Sequence, residues 1–443
     1  MQFISTRNPQ HRSGFSAALR QGLAPDGGLY VPEQWPQGAL SGLRADLPLP
    51  ELAARVLAPF AAGDALAAAM PAITAEAFNF PAPLLPLHQD GGLSVLELFH
   101  GPTAAFKDFG ARFLAAALSR LPVADGRPLK ILVATSGDTG GAVAAAFHRR
   151  PDIEVAVLFP KGLVTPTQER QLTCWGDNVQ SFAVRGTFDD CQRLVKDAFL
   201  DESMRQRFEL SSANSINLGR LLPQAMYYVA SSLQVQQHTG GKASYIIPSG
   251  NLGNSTACVW ARQLGAPIDA IVLAHNANRT VPDYLQQGVL RPRPGIPTLA
   301  SAMDVGNPSN LERLSALFPD AATLGGAVSA LSIDDDAIRA RIREDYQRYG
   351  MVWCPHTAVA SEAYERLPEV QRDNGNWVLV ATAHPAKFRE IVEPLIGRPV
   401  AVPENLARLF ERPAQYTEID PTLAALRQGM ETQGLPHATP ASH

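Results

Sequence analysis

From Ser94 onward the hydrophobic positions fall into short, β-branched runs, each closing on a small polar or glycine-rich turn and then giving way to a helix-like stretch. The clearest runs cover residues 130–135, 154–159, 243–247, 271–274 and 377–381. Strands that alternate with helices predict βαβ units and an α/β fold, with open, mostly parallel sheets flanked by helices. In such sheets ligands gather beyond the carboxyl ends of the strands, where loops and helix N-termini converge. Upstream, residues 1–95 are rich in Pro, Ala and Leu and carry helical-looking runs at 51–58 and 64–70, which predicts an additional, mainly helical N-terminal region. The expected division is that region, a smaller α/β domain over 96–225, a larger one over 226–430 and a flexible tail over 431–443, with loose order already from Gln428.

Length and composition narrow the class. A chain of 443 residues exceeds one ordinary domain of about 100–200 residues, so two or three packed units are expected. Hydrophobic residues make up 46% and charged residues 18%, a balance that suits buried parallel sheets. A net charge of -4 and a pI near 6.2 leave no basic footprint for nucleic acid or an anionic membrane. The N-terminal residues show no charged segment leading into an apolar run, and no apolar stretch approaches the roughly 18 residues of a membrane span. Cys174, Cys191, Cys258 and Cys354 are far apart and form neither a CxxC pair nor a metal-spaced cluster, which predicts reduced thiols in a cytoplasm and no metal site.

Four polar segments at predicted strand ends carry the candidate chemistry. In His100-Gly-Pro-Thr-Ala-Ala-Phe106-Lys107-Asp108-Phe109-Gly110, one lysine lies between aromatic residues at the start of an amphipathic helix. Lys and Arg total 38, of which six are lysine. A Schiff-base lysine needs a desolvated setting that frees its neutral amine, and Phe106 and Phe109 could supply one. The segment alone reads equally well as an ordinary helix lysine. Lys130 and Lys196 are expected to be plain surface lysines. The turn Thr135-Ser136-Gly137-Asp138-Thr139-Gly140-Gly141 lies between a strand and a helix; its small residues and free amides suit an anion such as a substrate carboxylate, or simply form a tight capped turn. Its glycine spacing is wrong for a dinucleotide fingerprint. Pro248-Ser249-Gly250-Asn251-Leu252-Gly253-Asn254 offers a concave row of backbone donors fit for a phosphate monoester, without the GK[ST] ending of a nucleotide P-loop; a glycine-rich turn with an Asn cap is the alternative. Last, Thr382 at the end of a strong strand places a neutral hydroxyl where a pyridine nitrogen could meet it, although a local backbone contact explains that hydroxyl as well.

Taken in order, the lysine in FKDFG, the SGDTG turn, the GNLGN loop and the late strand-end hydroxyl resemble the layout of fold-type II pyridoxal-phosphate enzymes, the tryptophan-synthase-β-like group. More narrowly, the chain resembles the threonine synthases of the longer, bacterial and fungal type. The stretches that carry the likeness are GLAPDGGLYVP (22–32), FHGPTAAFKDFG (99–110), SGDTGGAVA (136–144), Pro160-Lys161, NSINLGR (214–220), AMDVGNPS (302–309), PHTAV (355–359) and ATAHPAKF (381–388). The resemblance spans residues 3–395. It implies that Lys107 holds pyridoxal 5'-phosphate as a Schiff base and then moves protons, that Gly250, Asn251, Leu252, Gly253 and Asn254 bind the cofactor phosphate, and that Thr382 meets the ring nitrogen. Asp138 falls near the cofactor's 3'-oxygen, where other fold-type II enzymes more often carry Asn. Leu252 and Asn254 stand where close relatives often show Phe and Asp. On the substrate side the candidates are Ser136, Gly137, Asp138 and Thr139, with Lys161, Asn217 and Arg220 for a substrate phosphate. The implied activity is conversion of O-phosphohomoserine and water to threonine and phosphate by a monomer or homodimer. A serine/threonine dehydratase, a phospholyase or a non-catalytic relative that binds phosphorylated amino acids are the rivals.

Overall fold

The computed structural model describes residues 1–87, 92–122 and 127–432. Three sheets organise them. The first is small and antiparallel, β1 (Phe3–Ser5), β2 (Arg12–Ser13) and β3 (Tyr30–Pro32) in the order β2-β1-β3. The second has six strands, formed by β4 (Leu84–Pro86), β5 (Leu93–Glu97), β10 (Ala243–Pro248), β11 (Ile268–His275), β12 (Ser329–Ser332) and β13 (Asn376–Ala381), in the order β12-β11-β10-β13-β5-β4. The third comprises β6 (Leu129–Ala134), β7 (Ile153–Pro160), β8 (Val179–Val184), β9 (Glu209–Ser212) and β14 (Thr417–Ile419), in the order β14-β8-β7-β6-β9. Every pairing in the two large sheets is parallel except that of β4 with β5. Strands β6, β8 and β10 are buried at every position, as parallel strands covered by helices on both faces must be.

Several details depart from the sequence reading. The N-terminal region has helices Phe15–Gln21, Leu49–Leu57 and Met70–Ala77, but it also holds the antiparallel sheet, and its last strands join the large six-stranded one. Residues 64–69 form turns, and the helix begins only at Met70. β14 comes from the far C-terminal part yet completes the five-stranded sheet beside β8. Residues from Gln428 to Thr432 close the helix Leu423–Thr432, which buries Leu426 and Met430; of the expected tail over 431–443, the first two residues belong to this helix and 433–443 lie outside the described residues. Lys130 is not a surface lysine: it is fully buried, with Nζ 2.6 Å from Glu154 and donating to Gln180 at 3.0 Å. Such a group is invisible in composition, because only the pairing of β6 with β7 brings its carboxylate alongside. Lys196 is exposed, and all four cysteines are free and buried. Among the described residues no helix is long and apolar enough to cross a membrane, and no His/Cys/Asp/Glu cluster could hold a metal.

Candidate active site

Strands β5, β13 and β10 are neighbours in one sheet, so the segments that follow them emerge at one edge. The segment after β5 is stitched to the segment after β13: Leu98 N donates to Ala381 O at 2.9 Å, Phe106 N to Thr382 O at 2.8 Å and His384 N to Ala104 O at 3.0 Å. Ala104 adopts a left-handed φ of 56°, a conformation that costs a residue with a Cβ on the order of 1 kcal/mol or more and persists only under surrounding constraint. Here the constraint includes Asp108, which accepts from Thr103 N at 2.8 Å and Thr103 Oγ1 at 2.7 Å. This doubly tied loop delivers Lys107 to the first position of the helix Lys107–Leu118, beside Thr382 in one cavity. Phe109 packs against Phe78, Phe80 and Tyr227, so it belongs to the core beneath the lysine, whereas the Phe106 ring lies 5.7 Å from Nζ.

The loop after β10 forms the adjoining wall. Leu252 sits at φ 61°, and the helix Gly253–Gln263 starts directly after it. The amides of residues 251–254 have no acceptor among the described residues, which leaves a row of donors at a helix N-terminus. A Cβ on Gly250 would meet Met303 Cα at 2.7 Å, so only glycine permits this approach. Asn251 anchors the loop by donating to Ser215 Oγ at 2.7 Å and accepting from Ser309 N at 2.5 Å. The Asn254 carbonyl accepts from Tyr227 at 2.5 Å and Tyr228 at 2.8 Å, while its Nδ2 is buried without a partner.

The five-stranded sheet supplies the opposite wall. After β6, Thr135 Oγ1 accepts from the amides of Gly137 and Gly140, each at 2.9 Å, and shapes the turn that starts the helix Asp138–Phe147. Gly137 needs its φ of 138°, and a Cβ there would strike Gln168 at 2.5 Å. Ser136, Asp138 and Thr139 line the cavity, whereas Gly137 is not part of its lining. Asp138 is buried; burial alone would raise its carboxyl, yet the Lys387 and Lys107 ammoniums hold it well below the usual carboxylate range. Lys107 is pushed down to about 8, chiefly by burial and further by Lys387 and Arg220, with Asp138 opposing. Its residual exposure is to the cavity it lines.

Arg220 also reaches the cavity from the short helix Leu218–Leu221. It is buried, donates to Ala213 O, and leaves Nε without a partner; burial lowers it to about 10. The contrast with Arg313 is instructive. That buried arginine donates to Tyr30 O, Ser215 O, Ile216 O and Asn310 Oδ1, so its guanidinium is committed to the scaffold. Two other candidates lie outside the cavity lining. Lys161 pairs with Glu418 at 2.6 Å on the surface beyond β7. Asn217 is spent on backbone, donating to Leu19 O at 2.8 Å and Ser212 O at 2.9 Å and accepting from Gly219 N at 2.8 Å. Its neighbours Asn214 and Ser215 face the cavity in its place.

These walls bring Lys107, Asp138, Arg220, the 250–254 loop and Thr382 into one cleft that opens to solvent. The family model described as pyridoxal-phosphate dependent enzyme matches residues 76–383, flanked by models for the threonine synthase N terminus at 2–78 and C-terminal part at 357–429. The chain belongs to the threonine synthase family. The threonine synthase of Haemophilus influenzae is 40% identical over 431 residues, covering 96% of this chain and 99% of that one. The crystal structure of threonine synthase from Escherichia coli superposes with a TM-score of 0.89 at 36% identity, covering 98% of this chain and 100% of that one. The pyridoxal-phosphate-bound threonine synthase of Brucella melitensis gives 0.87 at 34%, covering 98% and 99%.

The donor set fits that cofactor: a lysine with a lowered pKa, an orphaned amide row with an unpartnered Asn254 Nδ2, and a Thr382 hydroxyl that makes no hydrogen bond to the described residues. Three participants escaped the sequence reading as chemistry. Lys387 is fully buried and pairs with Asp138 at 2.9 Å. His356 lines the cavity, is pushed by burial down to about 4, and accepts at Nε2 from Ala302 N at 3.1 Å, so it is neutral with its proton on Nδ1. Asp304, also in the lining, is raised to about 6 by burial. They sit in ATAHPAKF, PHTAV and AMDVGNPS, motifs whose polar residues were the only available signal.

Proposed function

We propose that this chain converts O-phospho-L-homoserine and water to L-threonine and phosphate by γ-elimination followed by β-addition, with Lys107, residues 250–254 and Thr382 holding pyridoxal phosphate. The supporting observation is that the cavity offers two anion-binding features, the unclaimed amide row at the start of the helix Gly253–Gln263 and the buried Arg220, whose Nε has no partner. The first would hold a cofactor phosphate and the second a substrate phosphate. A dehydratase acting on serine or threonine needs only the first, which is why Arg220 favours a phosphorylated substrate.

When bound, the cofactor supplies an electron sink for charge developing at the substrate's Cα and Cβ. Lys107 would anchor it and, once released, would carry protons at Cα and Cβ; an amine lowered to about 8 exchanges protons readily near neutral pH. Arg220 orients the phosphate on Cγ and neutralises charge as that group leaves. Thr382 would meet the ring nitrogen with a neutral hydroxyl, and neutral His356 lines the same cavity. The test is product analysis with O-phosphohomoserine: threonine and phosphate in equal amounts are expected, whereas 2-oxobutyrate would establish the lyase reading, and faster turnover of serine or threonine the dehydratase reading.

A further inference from the structure

Two ammoniums compete for one carboxylate at the back of the cavity. Asp108, the other acid nearby, is committed to Thr103 through both oxygens. Asp138 is therefore the carboxylate left for Lys107 and Lys387, and the geometry divides them unequally. Lys387 Nζ lies 2.9 Å from Asp138 Oδ1 and donates to Thr103 O at 2.9 Å, with its whole length buried. Gln168 Nε2 donates to the same Oδ1 at 3.1 Å. Lys107 forms no ion pair with the described residues, although its charge is felt at Asp138. The elements involved differ as well: Asp138 follows β6 of the five-stranded sheet, Lys387 follows β13 of the six-stranded one, and Thr103 lies in the loop that carries Lys107.

We propose that Lys387 is a positioning residue of this site, which holds the Asp138 carboxylate and the Thr103 carbonyl and so keeps the acid from capturing Lys107, leaving Lys107 as the reactive amine of the cavity. The proposal rests on Lys107 being the cofactor anchor of the preceding section. The charged groups around Lys107 are Asp138, Lys387 and Arg220, with His356 neutral in the same lining. Loss of Lys387 removes a like charge and releases a carboxylate. Both changes raise the pKa of Lys107, and an opposite charge brought within reach typically shifts a group by about 1–3 units.

The test uses the full-length chain freed of cofactor. Lysine acylation by acetic anhydride is followed residue by residue by peptide mass spectrometry between about pH 6 and 11, a window that brackets free lysine. The parent should acylate Lys107 with a midpoint near 8 and well ahead of Lys387. Lys387→Gln should raise that midpoint by at least about one unit, and Lys387→Arg should keep it near the parent. The double variant Asp138→Asn with Lys387→Gln should bring it back, since the capturing acid is gone. An unshifted midpoint in Lys387→Gln, or a double variant displaced as far as the single one, overturns the proposal. If Lys387→Gln does not fold, the parent decides: Lys387 acylated as fast as Lys107 overturns it, and strong protection of Lys387 supports it. A Lys107→Ala protein that still binds cofactor as the parent does would overturn the anchor reading instead, a separate result from any of these.

Discussion

Two turns face each other across the cleft, and both run from a buried parallel strand through glycines into a helix. The turn after β6 spends its Thr135 hydroxyl on the amides of Gly137 and Gly140 and places Asp138 in the first helical turn. The turn after β10 has no acid in its first helical turn, and its amides at 251–254 are unclaimed. A helix N-terminus attracts an anion, but a carboxylate already there repels a second one. On the proposed reading the same backbone device would serve as a phosphate cradle on one wall and, with Asp138 balanced by Lys387, as a polar platform for the substrate on the other. Lesions in the turn after β10 should therefore cost cofactor, and a lesion at Arg220 should cost turnover with cofactor retained.

The largest effect expected is from Lys107→Ala, which removes both the visible absorbance of bound cofactor and all turnover; a yellow, active variant would end the assignment. Next, Gly253→Asp copies the acid of the β6 turn into the phosphate cradle. Like charges about 4 Å apart in a partly buried site repel by several kcal/mol, so cofactor affinity measured by titration should fall by well over tenfold. Gly253→Ala adds the same Cβ, 3.3 Å from Ser215 Cβ, and should lose far less; equal losses would show that space rather than charge decides this wall. Arg220→Ala should keep the cofactor spectrum while kcat/KM for O-phosphohomoserine drops at least about tenfold, as expected for a lost charge-assisted contact of about 1.5–3 kcal/mol. Loss of cofactor with unchanged kcat/KM would mean that the two anion pockets have been assigned the wrong way round. Thr382→Val removes one neutral hydrogen bond, about 0.5–1.5 kcal/mol, and should weaken cofactor binding and slow turnover several-fold. The smallest effect on chemistry is expected from Lys130→Ala, which should leave spectrum and kcat intact. It should nonetheless lower the melting temperature, because Glu154 loses its buried partner.

The comparison also separates what was legible in the chain from what was not. FKDFG, SGDTG, GNLGN and Thr382 are local signals: a strand followed by small residues and a helix start specifies its own turn, and the order of such units specifies a parallel sheet. These features and the family resemblance follow from residues close together in the chain. The role of a lone charged residue does not. Lys130 and Lys107 both lie beside apolar neighbours, yet β7 brings Glu154 to the first, while the cavity leaves the second without an ion pair. Arg220 and Asn217 stand three positions apart in one motif, and helix geometry turns one toward the cavity and the other into the backbone. Lys387 meets Asp138 only because segments that leave the six-stranded and five-stranded sheets come together in the packed structure. Periodicity and turn chemistry are set within a few residues by backbone sterics and hydrogen bonding. Which charges are paired, buried or left for a ligand depends on contacts between residues hundreds of positions apart, and those exist only in the packed structure.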